Sequence, residues 1–280
     1  MFERIANGFT MARSSWSVLM ADKKLLVFPM ISGILTLLIL ATFAIPTAIL
    51  HQKGQLMGED GKPHIWFYPI LFAYYVATYA AVIFCNAALV SCALLRFDGQ
   101  PATLGDGLRV AMARLPQILA WAVVSATVGM VLNAIESVNE RIGYFIKMIL
   151  GTAWSLMTYF VVPILVVEKV GPIDAVKRST SLIRKTWGEA LVGKVGLGLF
   201  FFLMVIPLIA LFVGGIVLLK TSVVIGVTVL AITGILFLIF LAVSSAMNTI
   251  FLTAIYQYAQ FQRVPDGFNQ QAMAGAFGHK

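Results

Sequence analysis

Six apolar stretches, at residues 25–50, 66–95, 116–135, 142–167, 190–219 and 223–260, are each long enough to cross a bilayer, and most of the charged residues fall between them. A hydrocarbon core takes about 20 apolar residues per helical crossing. None of the six alternates with the period of two that marks a lipid-facing strand. They therefore read as helices, which satisfy their own backbone hydrogen bonds in lipid. The chain is 60% hydrophobic and 11% charged, far from the balance of a soluble domain, with a mean hydropathy of +0.93. Its longest polar connections, 51–64, 96–115 and 168–189, are too short to build a core of their own. The expectation is an all-α polytopic transmembrane bundle, a single membrane domain over 1–280 with about six membrane helices, three amphipathic interfacial helices and a short tail at 261–280.

Lysine and arginine set the orientation. One side carries Arg4, Arg13, Lys23, Lys24, Arg96, Arg109, Arg114, Lys169, Lys177, Arg178, Arg184, Lys185, Lys194, Arg263 and Lys280, against Lys53, Lys62, Arg141, Lys147 and Lys220 on the other. By the positive-inside rule both termini are expected in the cytoplasm, with the protein multi-pass in the cytoplasmic (inner) membrane. The first apolar run begins only at Leu25 and lacks a short charged segment before a cleavage site, so it reads as a retained span.

The basic side also carries helical stripes. Phe2, Ile5, Phe9, Ala12 and Trp16 recur at spacings of three and four, as do Ile173, Val176, Thr180, Ile183 and Trp187. An offset of 171 aligns Trp16 with Trp187, Arg13 with Arg184 and Lys23 with Lys194. Leu104, Leu108, Ala111, Leu115 and Ile118 form a weaker third copy, with Asp106 near its start. Three internal units follow, 1–95, 96–168 and 169–262, each an interfacial helix and two spans. Apolar residues beside Arg13, Arg109, Arg114, Lys177, Arg178, Arg184 and Lys185 suit anionic phospholipid headgroups. Each such cation near the surface contributes about 1 kcal/mol. This explains the net charge of +8 better than nucleic-acid binding does.

The segments RSSWSVLMADKKLLVFPMISG, from Arg13 to Gly33, and YAQFQRVPDGFNQQAMAGAF, from Tyr258 to Phe277, resemble the boundaries of an uncharacterised family of prokaryotic polytopic membrane proteins. The layout is more loosely similar to the membrane domain of some glycerophosphodiester phosphodiesterases, through the basic helix around Lys177 and Arg178. The resemblance implies topology and membrane location and supplies no catalytic residue.

Within the spans, Ala73, Ala77, Ala81 and Cys85 recur every four residues, as do Ser125, Gly129 and Asn133, a pattern that lets helices approach closely in lipid. It serves an internal seam or contact with a second copy. Cys85 and Cys92 lie two turns apart on one helix, where they pack as small apolar groups and cannot bridge. Pro29, Pro69 and Pro116 fall in first helical turns, whereas Pro207 sits inside the fifth span and marks a candidate hinge. Residues 223–260 would make about 57 Å of helix at 1.5 Å per residue, too long for one crossing. The expected continuation past Ser244 is an amphipathic helix along the interface, with Met247, Phe251, Ala254, Tyr258 and Phe261 on its apolar stripe.

Polar groups in the spans are few: Asn86, Asn133, Asn248 and Lys147, with Glu136, Glu140 and Arg141 in the outer turn. No acid lies near mid-membrane to relay a proton or ion. His51, His64, Glu59 and Asp60 share an outer loop without the paired spacing of a metal site, and no phosphate loop or nucleophile elbow occurs. The sequence thus favours a non-enzymatic membrane protein without cofactor or metal. It would bind or organise lipid, or scaffold a membrane complex with a protein partner or as a homo-oligomer. A transporter or channel for a lipid-like or small uncharged solute is the next alternative, and a membrane-embedded enzyme the last.

Overall fold

A computed structural model describes residues 2–52, 54, 64–138 and 140–268. Among these every regular element is a helix: α1 (Phe2–Ala21), a 3-10 turn (Lys23–Leu26), α2 (Val27–Gln52), α3 (Phe67–Phe97), α4 (Leu104–Ala113), α5 (Leu115–Val138), α6 (Glu140–Met157), α7 (Val161–Val167), α8 (Pro172–Leu218) and α9 (Val223–Phe261). Six segments are long and apolar enough to cross a membrane: Lys23–Gln52, Phe67–Phe97, Leu115–Glu136, Ile142–Val167, Leu197–Leu218 and Val223–Phe261. Pro29, Pro69 and Pro116 fall in the first turns of α2, α3 and α5. There a missing amide hydrogen leaves no helical bond unmade.

The chain divides into two compact units, one of Met1–Pro29, Ala93–Ala102 and Lys185–Lys280, the other of Met30–Cys92 and Thr103–Arg184. In the first unit α1 packs along α9. Met11, Ala12, Ser15, Val18 and Leu19 are buried, whereas Phe9 is exposed and Trp16 half-buried. The stripe anticipated on Phe9, Ala12 and Trp16 is therefore rotated: small Ala12 and Ser15 face inward, and the bulkier rings sit at the margin. Ser15 can be buried because its hydroxyl donates to the Met11 carbonyl at 3.1 Å.

The end of α9 departs further from expectation. Residues 246–257 are not amphipathic in use, because Thr249, Thr253 and Gln257 are buried together with Met247, Phe251, Ala254 and Tyr256. The threonine hydroxyls donate to the carbonyls of Ser245 and Thr249, four residues back, so those two groups are satisfied within the helix, and only Asn248 in this stretch stays exposed. α9 ends at Gln262, in left-handed backbone, with its amide bonded to the Tyr258 carbonyl. The following turn folds back on the end of α3. The Asp266 amide donates to the Phe97 carbonyl, Arg263 reaches Asp98 at 3.0 Å, and Phe268 meets Phe97 edge to face. This VPDGF segment gives part of the closing sequence motif a physical role.

In the second unit the fourth span is broken. α6 ends at Met157, a turn covers Thr158–Phe160, and α7 resumes at Val161. Pro163 has no amide hydrogen to offer the Tyr159 carbonyl, which removes a helical bond at that point. The Phe160 amide is bonded instead by the hydroxyl oxygen of Ser179, fully buried on α8, at 3.0 Å. On the part of α8 in this unit, up to Arg184, the buried residues are Ala175, Ser179, Leu182 and Ile183, while Ile173 is exposed. The stripe read through Ile173 and Val176 is thus displaced onto the side that carries the small residues.

Candidate functional site

The expected headgroup ligands lie on helices whose other faces are buried. On α1 Arg13 is exposed beside buried Ala12; on α4 Arg109 is exposed while Gly107 and Ala111 are buried; on α8 Lys177, Arg178 and Arg184 are exposed among buried Ala175, Ser179, Leu182 and Ile183. The Lys185 side chain, like that of Trp187, lies outside the described residues.

Each outward face also shows an apolar side chain within a turn of a cation. Phe9 accompanies Arg13, Leu108 and Met112 flank Arg109, and Ile173 sits one turn before Lys177, at 69% exposure. An apolar group next to a cation suits the boundary where phosphates give way to acyl chains.

The cations differ in how much charge they have to spare. α4 begins at a capping box: Thr103 Oγ1 accepts the Asp106 amide, and Asp106 accepts the Thr103 amide and hydroxyl. Those bonds from Thr103, and then the Arg109 guanidinium 2.6 Å away, hold the Asp106 carboxyl below its usual range. Arg109 is thereby partly neutralised on its own helix. Lys177 pairs with Asp174 at 3.4 Å, and Arg178 with Glu168 at 3.5 Å. Among the described residues Arg13 and Arg184 have no ion pair. The Lys177–Asp174 pair is exposed on both sides and worth about 0–1 kcal/mol, so a phosphate can compete for Lys177 too.

Arg114 plays a different part. Half-buried at the end of α4, it donates through Nε to the Val166 carbonyl on α7 at 3.3 Å and through Nη1 to the Ala113 carbonyl at 3.5 Å. It closes the last turns of two helices, where carbonyls lack intrahelical partners.

α8 continues as helix through Pro207 to Leu218. Beside Pro207 an apolar cavity of about 330 Å³ lies between α8 and α9, lined by Val205, Leu208, Phe212, Leu230, Gly234 and Phe237. The hydroxyl of Thr233 at its wall donates to the Val229 carbonyl, leaving a surface with no demand for a polar ligand. A second proline, Pro46, lies inside α2. Cys85 and Cys92 are both buried and are not joined in a disulfide, as their spacing requires. Glu59 and Asp60 lie outside the described residues.

One grouping was not legible from spacing. Asn133 near the end of α5 donates to the Tyr75 hydroxyl on α3 at 3.2 Å, and Lys147 on α6 donates to Asn133 Oδ1 at 2.7 Å and to Glu136 Oε2 at 2.6 Å. Tyr75 stacks on Tyr79, whose hydroxyl fits against Gly129. Gly129 and Asn133 of the small-residue stripe thus face α3 inside this unit. The side chains of Glu140 and Arg141 lie outside the described residues.

Comparison with known proteins supplies one match. A family model covers residues 65–266, which reaches Asp266 in the VPDGF turn but does not include the Arg13–Gly33 segment. No curated protein and no solved structure matches, and the looser likeness to glycerophosphodiester phosphodiesterases finds no support. A chain with six helices of membrane-spanning length, matched over 202 of its 280 residues, belongs to DUF6159, a family of unknown function.

Proposed function

We propose that this protein is a non-enzymatic multi-pass membrane protein that binds or organises anionic phospholipid through the outward faces of α1, α4 and the start of α8, with both termini in the cytoplasm. The observation that supports the reading is the pairing on those faces of exposed apolar residues with exposed cations, Phe9 with Arg13, Met112 with Arg109 and Ile173 with Lys177. Purely water-facing helices have no use for the apolar partners. Purely lipid-facing ones have none for the cations. Among the described residues Arg13 and Arg184 have no carboxylate partner, and Lys177 can exchange the exposed Asp174 carboxylate for a lipid phosphate.

The test replaces Arg13, Lys177, Arg178 and Arg184 by Gln. The spans provide the insertion energy, so the variant should still enter the membrane. At about 1 kcal/mol per cation, less where a carboxylate already competes, anionic-lipid binding should weaken by about 2–4 kcal/mol and become less sensitive to salt. Bound phosphatidylglycerol or cardiolipin per protein is counted by native mass spectrometry in matched detergent. Equal retention by the two proteins would refute the lipid reading and turn attention to an acidic protein partner for the same faces.

A further inference from the structure

The cluster of Tyr75, Asn133, Glu136 and Lys147 has a place and a charge pattern that none of its members reveals alone. From Leu115 to Asn133 along α5 is 18 residues, about 27 Å at 1.5 Å per residue, close to the thickness of a hydrocarbon core. The cluster therefore lies a membrane's width along α5 from the basic α4. Trp66, Tyr68 and Tyr144, all exposed, mark the neighbouring ends of α3 and α6. Such aromatic residues concentrate at the membrane–water boundary. Lys147 follows Tyr144 by three residues and is only partly exposed, as is Glu136.

The hydrogen bonds leave a specific residue of unused valence. An ammonium has three donors, and Lys147 gives one to Asn133 and one to Glu136. Among the described residues Glu136 accepts through Oε2 alone, leaving Oε1 to accept, while Tyr75 accepts from Asn133 with its own hydroxyl proton to give. What remains is a cationic donor beside an anionic acceptor, with a phenol near the donor. An added anion alone would meet Glu136, and an added cation alone would meet Lys147. A ligand carrying both charges close together completes an alternating square in which each new charge adjoins its opposite.

We infer that the Lys147–Glu136 pair, with Asn133 and Tyr75, is a binding site for a phosphoethanolamine group. Its phosphate takes the remaining Lys147 proton and the Tyr75 hydroxyl, and its primary ammonium donates to Glu136 Oε1. The site lies at the end of α5 far from α4 and selects a zwitterion, in contrast to the anion proposed for the basic helices. A trimethylammonium headgroup has the same charges but no N–H to give Glu136, so phosphatidylethanolamine binds in preference to phosphatidylcholine.

The experiment incubates delipidated full-length protein in mild detergent with equimolar phosphatidylethanolamine and phosphatidylcholine of matched chains, then measures the retained ratio by native mass spectrometry. The wild type should favour phosphatidylethanolamine by about tenfold, the discrimination of one charge-assisted hydrogen bond. Glu136→Gln should bring the ratio near unity while Lys147 keeps its bond to Asn133. The exchange Glu136→Lys with Lys147→Glu, which retains one charge of each sign, should restore much of the preference. The quadruple Gln variant of the basic helices should leave this ratio untouched, which separates the present inference from the anionic-lipid reading. Free phosphoethanolamine that displaces labelled lipid at millimolar concentration would assign the site to a soluble compound, whereas failure to displace it would assign the site to the lipid. A wild-type ratio near unity, or a preference that survives Glu136→Gln, would overturn the inference.

Discussion

The two halves of α9 share one helix and one composition class, yet they live in different solvents. From Val223 to Ser245 only Gly226 and Thr233 are buried, and Val224, Ile235 and Leu238 are each at least 60% exposed. From Ala246 to Gln257 nearly every residue is buried, threonines and Gln257 included. In the first half apolar side chains are outside because hydrocarbon is the solvent and burying them gains little. In the second half a protein core excludes lipid and water alike. Hydrophobicity therefore places this helix in the membrane without saying which part of it holds the fold together. Packing detail does that.

Phe251, fully buried, offers the hardest test of the contrast. Phe251→Ala should cost about 3–5 kcal/mol, the range for truncating a large core aromatic, and should lower the melting temperature in detergent markedly. If it does not, the buried half is no core. Ile235→Arg probes the other half, where a charge near the bilayer centre costs about 2.5–3.5 kcal/mol on insertion. Its effect should appear as reduced membrane integration, read by glycosylation mapping, with thermal stability of the inserted fraction little changed.

A finer comparison uses two similar hydrogen bonds. Thr228 donates to Val224 at 2.8 Å on the exposed half and Thr253 donates to Thr249 at 2.7 Å on the buried half. Valine replaces threonine at nearly the same volume, and loss of one such bond is worth about 0.5–1.5 kcal/mol. Both variants should be mild. Thr253→Val should be the more sensitive, because its surroundings are packed protein, and equal shifts in melting temperature would weaken the distinction. Leu238→Ala should be milder still, since lipid fills the space that a protein cavity would leave empty.

The smallest effect belongs outside the membrane, at the capping box of α4. Asp106 has a folded pKa below its unfolded one, held there by Thr103 and then Arg109. Its contribution is complete at pH values above the ordinary carboxylate range and fades as the pH falls through the depressed folded value. Melting temperatures of wild type and Asp106→Asn should differ slightly at neutral pH and converge on acidification. A difference that grows at low pH would contradict the sign.

Span positions were legible because about 20 apolar residues have few other uses, and prolines at 29, 69 and 116 fixed helix starts through a constraint local to the residue. Which stripe faces inward was less legible. On α1 and α8 the sequence offers two adjacent stripes, and the structure buries the one containing Ala12 and Ser15, or Ala175 and Ser179. Close approach of backbones outweighed side-chain bulk, and hydroxyls that bond a carbonyl one turn back or a neighbouring amide cost little to bury. The partnership of Lys147 with Asn133 and Glu136 joins two helices, and Tyr75 comes from a third. No spacing along one helix could announce it.

The Ser179 hydroxyl that receives the Phe160 amide has a consequence for how the protein is made. Ser179 is synthesised 19 residues after Phe160. Until it arrives, the interrupted fourth span lacks the hydroxyl that this amide meets in the folded protein. That span therefore leaves the ribosome before one of its partners exists. The contact at its break forms only once the opening turns of α8 have been made, so the order of synthesis lets α8 finish the span before it.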